Sequence, residues 1–456
     1  MALAIPLLLL LLVAALFGAR LWLGAFLRSA DFRHFLDGKA SARLHANVRL
    51  EPLHWEGSEV YSDALAGTGY PDSPYARLGV EQIRAELSLG TLWNGVWRID
   101  TIDLAKVEAV LGANAGLPGT PGPMQPAAEP AATPASASLF ARWLPQKVEV
   151  GKIDIADLAL SWGGGQPAAS GHLQGAALTA RQRSDDGAWE IAGRKGRLTQ
   201  GGLPALFIDQ FDLQANRREL TIRQASAQVE GGGQVEFTGA QQLAGDKNLT
   251  LDATFEQLPT ETFLPANWRA RLHGNAGGTA HITGSASAPD AWHSHGHIDL
   301  HDGRLETLPV LDELAIFTAT ARFRQANLER ASADFDWRAG NLRVTNLVLE
   351  SEGLIRLEGG FTVRDGQIDG QLQVGVARSA GRLLAGVGAR VFNEPERDGY
   401  LWTAVRLSGS SRDPHEDLTA RLLQATQEEV VEKARQGAGT VLDTASGLLN
   451  LLRPPK

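Results

Sequence analysis

Apolar residues alternate with polar ones along most of this chain, and Gly, Asp-Gly or Asn breaks the alternation at short intervals. Successive side chains of a strand point to opposite faces. Such runs therefore read as half-buried antiparallel strands joined by hairpins. The clearest stretch covers 342–376. Leu342 and Val344 alternate, then Leu347 and Leu349, and Glu352-Gly353 turns the chain. Ile355 and Leu357 follow, then Phe361 and Val363, and Asp365-Gly366 turns it again. Ile368, Gly370, Leu372, Val374 and Val376 then share one side. This spacing predicts a meander with one apolar face and one face of Arg, Thr, Glu and Gln. Leu220, Ile222, Ala225 and Ala227, a Gly231-Gly232-Gly233 turn, then Val235, Phe237 and Gly239 echo the pattern. One supersecondary unit is thus used more than once. Interrupted alternation also marks Ile99, Ile102, Leu104 and Val107, and Val148, Val150, Ile153, Ile155, Leu158 and Leu160. The expected fold class is mainly β: an elongated, curled antiparallel sheet, either groove-like or a flattened sandwich.

The two ends read differently. Ala2 to Ala19 carries no charged side chain. As a helix it would span roughly 27 Å, near the ~30 Å hydrocarbon core of a bilayer. Arg20 can snorkel to the headgroups, with Trp22 in the interface. A cleaved signal peptide fits less well, because no basic segment precedes the span and Phe17 or Leu23 stands where a small residue is needed. Asp31 to Ala42 reads as a short amphipathic helix. At the other end, Asp413-Pro414 is expected to start a helix whose apolar face carries Leu423, Val430, Ala434, Ala438, Val441, Ala445, Leu448 and Leu452. Between the two ends, 113–138 is rich in Pro, Ala and Gly and reads as a semi-extended linker. The expected division is a transmembrane anchor at 1–28, an N-terminal β section at 29–112, the linker at 113–138, a main β domain at 139–412 and a C-terminal amphipathic helix at 413–456.

Composition narrows the function. With no Cys among 456 residues, thiolate catalysis, iron–sulfur clusters and zinc–cysteine sites are excluded. A net charge of −9 disfavours nucleic acid as a partner. Eleven Trp stand against four Tyr, with no reason visible at this level. Nucleotide-binding and hydrolase motifs are missing, and His415-Glu416 begins a zinc-protease motif that Thr419 leaves incomplete. His293, His295 and His297 lie at alternate positions, with His281 upstream and His301 beyond. On one strand face their spacing is about 7 Å, long for a shared ion, so they read as a solvated face rather than a metal site. Carboxylate pairs such as Asp334 and Asp336, or Asp365 and Asp369, fall on polar strand faces or beside turns. No enzyme, cofactor or metal is expected.

The order of features resembles a known family. Asp31-Phe32-Arg33, the strand rising to Trp55, Ala76-Arg77, the run Ile83, Ala85 and Leu87, Leu92-Trp93, and the strand from Trp97 to Val107 resemble the N-terminal region of bacterial AsmA-like proteins. Gly296-His297-Ile298-Asp299-Leu300, Asp302-Gly303, Leu308-Pro309-Val310-Leu311, the 342–376 meander and Leu407-Ser408-Gly409-Ser410 are similar to the AsmA-like C-terminal domain, also seen in TamB. The resemblance implies a single-pass inner-membrane protein with its body in the periplasm, working in outer-membrane biogenesis and phospholipid transport. It implies no catalytic residues. The charge pattern points the other way, since Arg20, Arg28, Arg33, Lys39 and Arg43 all follow the span. A curled sheet with one apolar face suits acyl chains, and Leu347, Leu349, Ile355, Leu357, Ile368, Leu372 and Val374 are the candidate groove residues. If those residues instead fill a dry core, the chain is a structural or assembly scaffold that binds other envelope proteins.

Overall fold

The computed structural model describes residues 30–88, 96–112, 147–163, 170–285, 288–306, 320–381 and 390–428, with isolated positions at 311–312, 314–315, 388 and 431–432. The chain divides into two compact units, Met1–Glu230 and Gly231–Lys456. The expected membrane anchor and the 113–138 linker lie outside the described residues. Among the described residues no helix is long and apolar enough to cross a membrane.

The first unit opens with helix α1 (Ala30–Leu44). Strands follow in sequence: β1 (Ala46–Leu50), β2 (Leu53–Glu56), β3 (Glu59–Gly69), β4 (Tyr75–Ser88), β5 (Val96–Leu111), β6 (Lys147–Trp162) and β7 (Gly171–Gln182). Then come β8 (Trp189–Arg194), β9 (Arg197–Gln200), β10 (Leu206–Ala215) and β11 (Glu219–Val229). β1 and β2 both pair with β3, and from β3 to β7 each strand pairs with the next. β8 and β9 share the space between β7 and β10, and β11 adds to β10. One pair departs from the expected antiparallel order. β5 and β6 run parallel, with Val96 opposite Lys147 and Val110 opposite Ser161. A parallel pair needs a long crossover, and the Pro-rich stretch occupies that place in the sequence.

The interrupted alternation has a structural cause. Asp63 and Gln82 drop out of the β3–β4 pairing, and Ala105 and Ala156 drop out of the β5–β6 pairing. Gln82 adopts a left-handed backbone, φ 51°. Each strand skips one residue opposite a skipped residue of its neighbour, so the register is kept while the two-residue period is reset. Val80 and Ile83, or Leu104 and Val107, therefore stay on one face although three residues apart.

The second unit continues the pattern with β12 (Gln234–Gln242), β13 (Asn248–Pro259), β14 (Leu272–Ser285), β15 (Ala288–Glu306), β16 (Gln325–Leu328) and β17 (Arg330–Arg338). It ends with β18 (Asn341–Ser351), β19 (Ile355–Arg364), β20 (Gln367–Ala377), β21 (Glu394–Arg397), β22 (Tyr400–Ser410) and β23 (Asp413–Glu416). β15 pairs with both β16 and β17, and β20 pairs with β22. The meander of β18, β19 and β20 turns where the sequence predicts.

The C-terminal helix does not start where expected. Asp413-Pro414 lies in β23 and pairs with β22, with Gly409 opposite Pro414. The helix begins at 418. Its first turn is capped by the Glu416 carboxylate, which accepts the amides of Leu418 at 2.6 Å and Thr419 at 3.0 Å. Its buried stripe is Leu418, Leu422 and Ala425, whereas Leu423 is exposed. The continuation from Ala434 lies outside the described residues.

Glycines and aromatics answer each other across the strands. The Phe211 ring occupies the space where a side chain at Gly193 would be, and the Phe335 ring does so at Gly296. Trp162, Trp292 and Trp402 lie against Gly171, Gly284 and Gly375 in the same way. Part of the high Trp count thus fills gaps that glycines leave in the sheet.

Edge strand β1 is blunted by α1. The Val48 amide donates to Ser41 Oγ at 3.0 Å, and the Leu50 amide donates to Asp37 Oδ1 at 2.9 Å. Asp37 and Ser41 sit one helical turn apart, matching amides two residues apart on the strand. We expect Asp37→Ala and Ser41→Ala each to cost about 1 kcal/mol. Hydrogen exchange should quicken at Leu50 in the first variant and at Val48 in the second.

Candidate functional site

In the first unit, cross-strand register lines the apolar residues into rows. One row runs Val60, Ala85, Ile102, Ile153, Ala180, Ile191, Leu213 and Ile222, one residue from each of eight strands. A neighbouring row runs Ser62, Ile83, Leu104, Ile155, Leu178, Gly193 and Phe211. Val60 and Ala180 of the first row are buried, and beside the rows a small cluster of Val80, Val107, Leu158 and Ala176 is buried as well. Ile83, Leu104, Ile155 and Leu178 pack beside it half-buried. Over one end of the face lies a cavity of 570 Å³, walled by Leu36 and Ala40 of α1, Trp55, Leu87, Trp97 and Ile102. Asp37, Lys39 and Arg43 of α1 also line it. Its size falls in the ~300–1,000 Å³ range of ligand pockets, and its apolar walls with a few charges at one side suit an amphiphile.

A larger cleft of 820 Å³ lies over the unpaired positions Asp63, Gln82, Ala105 and Ala156 of the same strands, and Leu104 and Ile155 reach its lining too. Tyr61, Arg84, Asp103, Asp154 and Arg194 also line it. Several of these charges are already committed: Arg84 pairs with Glu59 at 2.6 Å, and Asp154 accepts from Thr179 at 2.6 Å. The smaller apolar cavity is therefore the better candidate.

The sequence-derived groove residues lie in the second unit. Ile355 and Val374 belong to a closed core with Val376, Phe323, Leu314, Leu418 and Leu422, and Leu349 and Leu357 pack against it. Four of the seven candidates thus belong to, or pack against, a buried cluster that includes Leu418, Leu422 and Ala425 of the 418–428 helix. Ile368 and Leu372 are buried and Leu347 is half-buried, and none of the three belongs to that cluster. They extend the apolar face toward rows such as Phe237, Ala253, Ala280, Gly296, Phe335, Val344 and Phe361. Arg421 ties the covering helix down by donating to the carbonyls of Ala404 at 2.6 Å and Val391 at 3.2 Å. The cavity under α1 was not visible in the sequence, because it needs α1 folded back on the strands.

The histidines and carboxylates come together on the polar face of β13, β14, β15 and β17. His297 Nδ1 lies 2.5 Å from Asp334 and its Nε2 lies 3.2 Å from Asp299. His293 Nε2 lies 3.1 Å from Asp336, and His281 Nδ1 lies 2.6 Å from Asp252. The hydrogen bond that His297 donates to Asp334 raises the imidazole above its usual value, against the opposing effect of burial and with help from Asp299. Asp334 is held below the ordinary carboxylate value, by Asn346 first and then by His297. No protein-family model, curated protein or solved structure matches the chain.

Two outcomes follow. Ile355→Ala should cost about 2–5 kcal/mol in a denaturant titration, the cost of a closed core position. The His297–Asp334 pair is present in full below the unfolded imidazole value and is lost as pH rises through the raised one. It is also lost as pH falls through the lowered Asp334 value. The melting difference between wild type and His297→Ala should therefore be largest near about pH 5 and smallest near about pH 9. An equal difference at both would mean the pair is not charged.

Proposed function

We propose that the chain is an AsmA-like envelope protein that holds phospholipid acyl chains against the apolar face of its first unit. The observation that carries this reading is the pair of apolar rows across β3 to β11, which end in the cavity under α1. Acyl chains need a long dry surface and no catalysis, and the rows offer one. α1 follows the uncharged Ala2–Ala19 segment closely in sequence, so this reading puts the cavity beside the inner membrane. The family resemblance favours a periplasmic body and a role in outer-membrane biogenesis, against the charge bias around the span. A scaffold role is favoured only for the second unit, where the 418–428 helix fills the core. There, partners of the envelope would meet strand edges and not lipid.

Native mass spectrometry with lipid extraction, on the full chain exchanged into a lipid-free amphipol, tests the reading. We expect phospholipid to be retained in about stoichiometric amount. Ile102→Asp and Ile155→Asp should lower it at least ~10-fold while circular dichroism shows the strand content retained, because a charge beneath an acyl chain is expensive. Lipid-free, well-folded wild-type protein would leave the scaffold reading in its place.

A further inference from the structure

His281, His293 and His295 sit together on the polar face of the second unit. Register places His281 directly opposite His295. His293 is two residues before His295 on the same strand, so it shares that face. The ring centres of His281 and His295 are 5.1 Å apart, and those of His293 and His295 are also 5.1 Å apart. A metal–nitrogen bond of about 2.1 Å puts an imidazole centre ~3.2 Å from the ion, and a tetrahedral angle then separates two centres by about 5.2 Å. Each of these two pairs therefore stands at the spacing that one ion imposes on two ligands.

We propose that these three histidines form a site for an imidazole-preferring divalent transition ion, Zn²⁺ above all, that staples β14 to β15. The carboxylates beside them fit this role. Asp252 engages Nδ1 of His281 and Asp336 engages Nε2 of His293, which leaves Nε2 of the first and Nδ1 of the second to coordinate. A carboxylate on the far nitrogen is the arrangement that orients a ligating imidazole and raises its basicity. Asp336 is shared with Arg338 at 3.1 Å, and His297 is occupied by Asp334 and Asp299. His297 therefore stands outside the site. His295 is exposed. Among the described residues no three such side chains converge on one point as they stand. Closure asks for a turn of the His295 ring about its Cβ–Cγ bond, which swings the nitrogens and leaves the ring centre in place. Three imidazoles leave a fourth position for water or for a ligand from another molecule.

The test uses the full chain in detergent, without an affinity tag and after treatment with a chelator. Zn²⁺ is titrated at neutral pH in competition with a chromophoric chelator. We expect one saturable site with a Kd of about 1 μM or tighter, and a rise in melting temperature on loading. His295→Ala should weaken binding at least ~10-fold and abolish the rise in melting temperature. Asp252→Asn, a positioning change, should weaken it by about 10-fold. His297→Ala should leave binding unchanged. Wild-type binding weaker than about 0.1 mM would overturn the proposal. So would equal losses in His295→Ala and His297→Ala, which would mean diffuse binding along the histidine face.

Discussion

Everything in this molecule depends on the backbone ladder between neighbouring strands. The ladder fixes register, and register decides which side chains share a face. A slip of one residue would send every apolar side chain of a strand to the polar side. Few elements other than strands are available to correct such an error. Rows of seven or eight residues, one from each strand, remain almost wholly apolar because the pairings hold them in line. The polar face obeys the same rule, and His281, His295 and Asp336 meet only because β14, β15 and β17 are in register.

Bulges are how the sequence keeps a row on one face when its alternation changes phase. Val344 and Leu347 are three apart, yet both pair into apolar rows, at Phe361 and Gly359. Asn346 takes the left-handed backbone between them, φ 50°, and its amide donates to Asp334 at 2.7 Å. Gln257 stands at a comparable register shift, φ 52°, and Gln82 takes the same backbone, φ 51°, where the β3–β4 pairing skips one residue on each strand. In the first unit the dropped positions line up across four strands, and the charged cleft lies over them. The same device thus preserves the apolar face and shapes the opposite one.

Much of this was legible beforehand, and the exceptions share a cause. The β18–β20 meander was readable because Glu352-Gly353 and Asp365-Gly366 are strong local turn signals. The broken run Ile99, Ile102, Leu104 and Val107 was read as a strand without its bulges being placed. The parallel β5–β6 pair was invisible, since alternation carries no direction. Asp413-Pro414 reads locally as a helix start, but pairing with Leu407 to Ser410 overrides it and Glu416 caps the helix later. The candidate groove residues were read from alternation as one apolar face. What covers that face comes from distant segments, Leu314 and Leu418 among them, and no local pattern reveals it. The histidines were read along one strand at an idealised spacing, whereas the side chains bring the rings of His293 and His295 to 5.1 Å and the ladder adds His281 at the same distance.

The central claim is that acyl chains lie on the apolar face of the first unit and not on its polar face. Adjacent residues of β5 separate the two, because Asp103 and Leu104 point to opposite sides. A photoreactive benzoyl-phenylalanine placed at each position in turn, in growing cells labelled with ³²P-phosphate, reads this directly. We expect labelled phospholipid to cross-link at position 104 and not at 103. Cross-linking to protein alone at 104, or equal lipid capture at both positions, would contradict it.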